Sequence, residues 1–237
     1  MNSRVRAIIE KVWEQRRSQE IDMIEGVYKS LGSPCRFLEV GCGRLGLLSG
    51  RDKLLNLSDN SFGLDVDFDA LFKNEQVVHK ICADCTSLPI RSKKFNIVVA
   101  RWLFEHLKTP EIVLQEISRI LTNNGYLFIT TPNLYNYITL VSRFTPLHWH
   151  NVIRRKCHMH DNIPSYYRAN TRARLKRLAL QNNLVVKYCF CVPNSFLYYR
   201  FNKYLFFIMM IISNFLSRFT SKFHLKMICL MQKKADL

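Results

Sequence analysis

Phe37-Leu38-Glu39-Val40 runs directly into Gly41-Cys42-Gly43-Arg44-Leu45-Gly46, and this order of residue types constrains the fold more than any other stretch of the chain. A short apolar run that breaks into closely spaced glycines reads as a buried parallel strand, a tight turn and the N-terminus of a helix. Glycine serves in such a turn because a side chain would collide with a ligand lying against the backbone, and because the turn can need positive φ. The stretch therefore predicts a nucleotide-like cofactor. By itself Gly41-x-Gly43-x-x-Gly46 also fits the dinucleotide fingerprint, so the landmarks that follow have to decide.

Ser61-Phe62-Gly63-Leu64-Asp65 reads as a second strand ending in a carboxylate, at a distance that suits an acid reaching a ribose diol. A third strand over Val77–Ala83 leads to Asp84 and then Ser87-Leu88-Pro89. A fourth, Phe95–Ala100, runs into Arg101-Trp102-Leu103-Phe104-Glu105-His106-Leu107. A helix over Pro110–Leu121 follows, then a turn at Asn123-Asn124-Gly125 that feeds a fifth strand ending in Thr131-Pro132-Asn133.

With these landmarks in this order, residues 35–135 resemble the class I S-adenosylmethionine-dependent methyltransferases, in particular the type 11-like group. That group's pattern reads strand, GxG turn, "GLD", "D…LP", "FDxV…EH", "ExxRxLxxxGxLxxxxPN". The resemblance implies an α/β fold: a doubly wound, Rossmann-like, mostly parallel seven-stranded sheet with an antiparallel last strand. It implies S-adenosyl-L-methionine as cofactor. Glu39, Gly41 and Gly43 would line its amino-acid end, with Cys42 between the glycines. Asp65, followed by Val66, would bind the ribose, and Asp84 with Cys85 would sit beside the adenine. Arg101 and Trp102 would border the methionine arm, with Trp102 or Phe104 facing the cationic sulfur. The chain departs from the pattern at three places. Leu45 replaces a third glycine, Asn96 stands where an aspartate is usual, and Asn182-Asn183-Leu184 replaces the usual glycine lead-in to strand six.

At 237 residues the chain suits one methyltransferase domain over 1–237. Within it we read a leading helix over 1–30, with Val5, Ile8, Ile9 and Val12 at helical spacing, and a cofactor-binding core over 35–135. A basic acceptor-side segment follows at 136–182 and an apolar and basic insertion at 196–222. No secretory signal is visible, so the eight cysteines read as reduced thiols of a cytoplasmic protein. Cys82-x-x-Cys85 lacks a second pair at zinc spacing, and Cys157-His158-x-His160 is likewise read as metal-free.

Charge divides the chain. Residues 1–140 hold 18 Lys/Arg against 16 Asp/Glu, whereas residues 141–237 hold 17 against 2, a net +15. Such an imbalance predicts an anionic partner: a phospholipid surface, a phosphorylated lipid carrier or nucleic acid. In the basic segment His150 and His158 are the candidate catalytic bases, since a near-neutral imidazole could take a proton from an acceptor hydroxyl. An ordinary surface role for any one of them stays open. Thr171 reads as the N-cap of a helix over Arg172–Gln181, Leu184–Phe190 as strand six and His224–Lys234 as strand seven.

Between those strands the insertion carries Leu205-Phe206-Phe207-Ile208-Met209-Met210-Ile211-Ile212, flanked by Arg200, Lys203, Arg218 and Lys222. A helix over 204–217 would be roughly 21 Å long, short of the ~30 Å hydrocarbon core, so an interfacial helix is expected rather than a crossing one. A lid or a dimer contact are the rival readings. The expected activity is O-methylation of a small or lipid-linked acceptor, glycan or quinone in type, in the cytoplasm at the inner membrane face. Two alternatives stand beside it: an RNA methyltransferase using the basic half, and a degenerate fold acting as a binding partner. Base-amino methylation is disfavoured, because Ala100-Arg101-Trp102-Leu103-Phe104 stands where such enzymes carry an Asn/Asp-Pro-Pro-aromatic loop.

Overall fold

In the computed structural model, β1 (Phe37–Val40) is buried along its whole length because a strand lies on each side of it. The structure describes residues 20–32, 34–44, 60–136, 139, 163–192, 224–235 and, singly, 204, 207, 208, 211 and 215. The remaining elements are α1 (residues 20–31), β2 (Ser61–Asp65), α2 (Phe68–Phe72), β3 (His79–Cys82), β4 (Phe95–Arg101), a 3-10 turn (Phe104–His106), α3 (Pro110–Ile120), β5 (Leu121–Pro132), α4 (Arg172–Gln181), β6 (Leu184–Val192) and β7 (Lys226–Lys233).

The strands form one sheet in the order β3-β2-β1-β4-β5-β7-β6. The first five run parallel, and β7 runs antiparallel to both β5 and β6. This is the expected mostly parallel, Rossmann-like α/β sheet with its reversed last strand. The order turns back between β1 and β4, which places a crevice beyond the carboxyl ends of those strands.

Period-two alternation sends side chains to two covering layers. Leu38, Val40, Val98, Ala100, Leu127, Ile129, Met227 and Cys229 meet α3, α4 and Phe104 in the larger core. Phe37, Ile97, Val99, Phe128 and Leu230 meet Ile21 and Ile24 of α1 in the smaller one. In α3 the buried set Val113, Leu114, Ile117 and Ile120 keeps helical spacing, and truncating one such residue to alanine would cost about 2–5 kcal/mol. α4 occupies the expected bounds, and the Thr171 hydroxyl accepts from the Arg174 amide at 3.2 Å.

Several motif positions turn out to hold the fold. The Glu116 carboxylate accepts from the Leu88 amide at 2.8 Å and pairs with Arg119 at 2.7 Å. Arg119 in turn donates to the carbonyls of Leu88 and Ile90, so the Leu-Pro segment is clamped to α3. Arg119 holds the Glu116 carboxyl below its ordinary range. Asn96, which replaces the usual aspartate, accepts from the Arg36 amide at 2.9 Å and ties the start of β4 to β1.

Three boundaries differ from the expectation. β3 is confined to His79–Cys82, and β7 begins at Lys226, where the ladder with β5 starts opposite Pro132. Glu105 and His106, which the sequence reads as beginning the next helix, end a separate 3-10 turn, because the backbone extends again at Leu107 before Pro110 restarts a helix. Residues 1–19 of the expected leading helix lie outside the described residues.

Candidate cofactor and acceptor site

At the end of β1 the chain turns at Gly41 and Gly43, with φ of +72° and +50°. The amides of Gly41 and Cys42 both donate to the Leu64 carbonyl, at 2.7 and 3.1 Å, so the turn folds over the end of β2. A side chain at Gly41 would meet Leu103 at 3.1 Å, whereas the corresponding position at Gly43 has no atom of the described residues within 4 Å. The turn thus has one closed side, against Leu103, and one open floor, over Gly43.

Asp65 faces that floor. One carboxylate oxygen accepts from the Gly43 amide at 2.7 Å and the other from the Asp67 amide at 3.0 Å. Each oxygen keeps further lone-pair capacity, so the carboxylate is oriented without being used up. Asn74, fully buried, donates its amide to the Gly43 carbonyl at 2.8 Å and accepts from the Gln76 amide at 3.0 Å. This residue fixes the glycine turn from behind and was missed in the sequence. Its signal there, one asparagine after a short helix, is indistinguishable from a helix stop.

Glu39 is buried in the middle of β1, between Gly63 and Val99 of the neighbouring strands. Cys42 is buried under the turn, and burial, then the nearby Glu39 and Asp65 charges, push its thiol up to about 12. It is a packing group. Val66 is exposed directly beside Asp65. One Asp84 oxygen accepts both the Thr86 amide and hydroxyl at 2.8 Å, which holds the carboxyl below its usual range. Beside it, burial raises the Cys85 thiol to about 11.

Trp102 is held at φ +53° with its amide donating to the Thr130 carbonyl at 2.7 Å. A bulky residue there is a backbone outlier of the kind that clusters at ligand sites. Phe104, the other aromatic expected near the sulfur, is fully buried in the core, because the 3-10 turn points it inward. Trp102 is therefore the rim aromatic.

Arg101 has a second role that the sequence did not disclose. Its Nε donates to the Glu20 carboxylate at 3.0 Å, and that carboxylate also takes the Lys226 ammonium at 2.5 Å and the Thr130 hydroxyl. Burial alone would raise the Glu20 pKa, but Arg101, Lys226 and the hydrogen bonds outweigh it and the net shift is downward. Glu20 had read as one charge among many on a leading helix. Only its neighbours Ile21 and Ile24 mark its inward face.

Beyond β5 the strap of residues 163–171 returns to the carboxyl edge. The amides of Tyr166 and Tyr167 donate to the Glu105 carbonyl at 2.7 and 3.1 Å. His106 Nδ1 lies 2.9 Å from the Pro164 carbonyl, which can only accept, so that nitrogen carries the proton. Asn170 donates to the Thr131 hydroxyl and the Pro132 carbonyl, and Thr131 donates to Glu105, at 2.6, 3.0 and 3.1 Å. The Asn170 Oδ1 and His224 Nε2 atoms are buried there without a hydrogen-bond partner among the described residues. The candidate bases His150 and His158 lie outside the described residues.

The structure thus brings Glu39, Gly41, Cys42, Gly43, Asp65, Val66, Arg101 and Trp102 to the carboxyl edge of β1, β2 and β4, with Asp84 and Cys85 following β3. A positive-φ turn with an open floor, faced by an oriented carboxylate, fits a cofactor that presents a ribose diol.

Comparison with known proteins agrees. Residues 38–129 match the family described as a methyltransferase domain. An uncharacterized protein of Methanocaldococcus jannaschii is 31% identical over 96 residues, 40% of each chain, so this chain spans about two fifths of the relative it matches. A Galdieria sulphuraria protein described as a sarcosine dimethylglycine methyltransferase superposes with a TM-score of 0.57 at 16% identity, over 93% of this chain and 84% of that one. The geranyl diphosphate C-methyltransferase of Streptomyces coelicolor, solved with Mg2+, geranyl diphosphate and S-adenosyl-L-homocysteine, gives 0.54 at 14%, over 86% and 72%. Residues 38–129 thus match a methyltransferase domain, and the chain shares its fold with solved S-adenosylmethionine-dependent methyltransferases.

Proposed function

We propose that this chain transfers a methyl group from S-adenosylmethionine to oxygen of a small or lipid-linked acceptor, glycan or quinone in type, beside an anionic membrane surface on the cytoplasmic side. The observation that carries the first part is the Asp65 carboxylate held over the open floor at Gly43 by its amide bond of 2.7 Å. When bound, the cofactor supplies an activated methyl on a sulfonium, so the protein's work is alignment and exclusion of water. Asp65 holds the ribose, the backbone at Gly41 and Gly43 receives the amino-acid arm, and Trp102 borders the sulfur. His150 or His158 receives the proton from the acceptor hydroxyl.

Two features favour a hydrophobic acceptor near phosphates. The net +15 of residues 141–237 suits an anionic surface, and the Streptomyces coelicolor neighbour binds a prenyl diphosphate. In addition Tyr204, Ile208, Ile211 and Phe215 are helical and exposed at four-three-four spacing, an apolar stripe that an interfacial helix would lower into the acyl boundary. Among the described residues no helix is long and apolar enough to cross a bilayer.

Calorimetry with S-adenosylmethionine on the wild type and on Asp65→Ala tests the cofactor site. Undiminished affinity in the variant would refute it. Methyl incorporation from labelled cofactor into fractionated lipid, glycan and RNA pools tests the acceptor. Label confined to RNA would replace the lipid-linked reading with the nucleic-acid one, and no binding at all would leave a fold that serves only as a partner.

A further inference from the structure

β6 is one of the two edge strands of the sheet, and its ladder with β7 sets Cys189 directly opposite Cys229. Directly opposed residues of an antiparallel pair carry Cβ atoms about 4.5–5.5 Å apart on the same face, and a disulfide needs about 3.5–4.5 Å. The bond therefore closes with a small approach of two strands that are already paired. Cys191 lies two residues further along β6 and faces the same core, but its register partner is Met227. Among the described cysteines, Cys189 and Cys229 are the two that strand register places opposite one another.

Their surroundings give the two thiols different characters. The hydrogen bond from Cys229 lowers the Cys189 thiol; burial opposes the shift and the Arg172 guanidinium adds to it. The same hydrogen bond, with burial, lifts Cys229 well above the ordinary thiol range. Cys189 is half-buried and Cys229 fully buried, so a small oxidant reaches the first and not the second. An accessible thiol inclined to ionise, beside a protonated one within bonding reach, is the arrangement of an attacking and a resolving cysteine. By contrast, burial pushes Cys35 to about 11 and Cys42 to about 12, which leaves both inert.

We propose that Cys189 and Cys229 are a reversible oxidation site that takes a hydroperoxide as oxidant and closes to a cross-strand disulfide. The Cys189 thiolate attacks one peroxide oxygen, the O–O bond breaks, and the leaving hydroxide takes a proton to become water. The Cys189 sulfenic acid so formed is attacked by the Cys229 sulfur; its S–O bond breaks, and the hydroxide leaves with the Cys229 proton as a second water. Two thiols and one hydrogen peroxide become one disulfide and two waters. The pair lies three residues inside the end of β6 at Val192 and three inside the start of β7 at Lys226. The closed bond fixes the edge strand at the root of the connection that carries Tyr204, Ile208, Ile211 and Phe215.

The full chain is exposed to hydrogen peroxide at a slight molar excess, alkylated without reduction, digested and mapped by tandem mass spectrometry. A cross-linked peptide joining Cys189 to Cys229, two hydrogens lighter than the separate thiols and lost on treatment with dithiothreitol, is the expected result. Cys191→Ser keeps the cross-link, Cys189→Ser removes it, and Cys229→Ser leaves a Cys189 sulfenic acid that dimedone traps. Full alkylation of both cysteines after peroxide, or a bond from Cys189 to Cys191, overturns the proposal. The wild-type map decides alone if Cys229→Ser fails to fold.

Discussion

Over β1 and β2, the carboxyl edge of the sheet is held by bonds among residues near one another along the chain. Gly43 is 22 residues from Asp65 and 31 from Asn74. Over β5 and β7, the same edge is held by Glu20, which is 110 residues from Thr130 and 206 from Lys226, and by the chain Asn170–Thr131–Glu105. The first rim is mainly backbone and one carboxylate; the second is a buried network of side chains. A short motif suffices to build the first, whereas the second exists only once the whole sheet has closed. The two rims are therefore separable by mutation.

The largest expected effect is on the second rim. Glu20→Ala removes the buried carboxylate that Arg101 and Lys226 share, which should remove about 3–5 kcal/mol of stability. That loss corresponds to a melting temperature lower by roughly 6–20 °C for a chain of this size. The Glu20 folded-state pKa lies below its ordinary 4.5, so its contribution is full above that value and drains as pH falls through the lowered one. A wild-type acid unfolding transition that is unchanged in Glu20→Gln would contradict this assignment.

Next, Asp65→Ala removes a charged acceptor from the first rim. Its loss should weaken S-adenosylmethionine binding by about 1.5–3 kcal/mol, or roughly 10–150-fold, while thermal melting moves little. An equally large fall in melting temperature would show that the two rims are not independent. Asn170→Ala should do the reverse. It strips partners from Thr131 and the Pro132 carbonyl at a cost of about 1–3 kcal/mol in urea unfolding, with cofactor affinity retained. Smallest is Glu116→Gln, a partly exposed pair outside both rims, worth under about 1 kcal/mol and lost in the wild type as pH falls below 4.5.

The same contrast explains what could be read before the structure. The glycine turn, Asp65 and the five parallel strands were legible because each feature is spelled by consecutive residues. The Glu116–Arg119 clamp was visible only as letters in a family pattern; its job of gripping the 88–90 segment needed coordinates. Glu20, Asn74 and Asn170 were not legible, since a lone polar residue announces nothing until its partners from other strands arrive. Phe104 shows the converse. The sequence left Trp102 and Phe104 as alternatives, and a single 3-10 turn sends one ring to the core and leaves the other at the rim.

Trp102 has a consequence for how this molecule can be improved or damaged. Its left-handed backbone costs of order 1–3 kcal/mol, a conformation glycine would take without penalty. Trp102→Gly would accordingly relax the tip of β4 while erasing the indole that, in the proposed function, borders the cofactor. Selection for heat tolerance alone would push this position toward glycine, and selection for turnover would hold the indole in place. If the proposed cofactor site holds, the indole is a point where robustness and catalysis pull the same backbone in opposite directions.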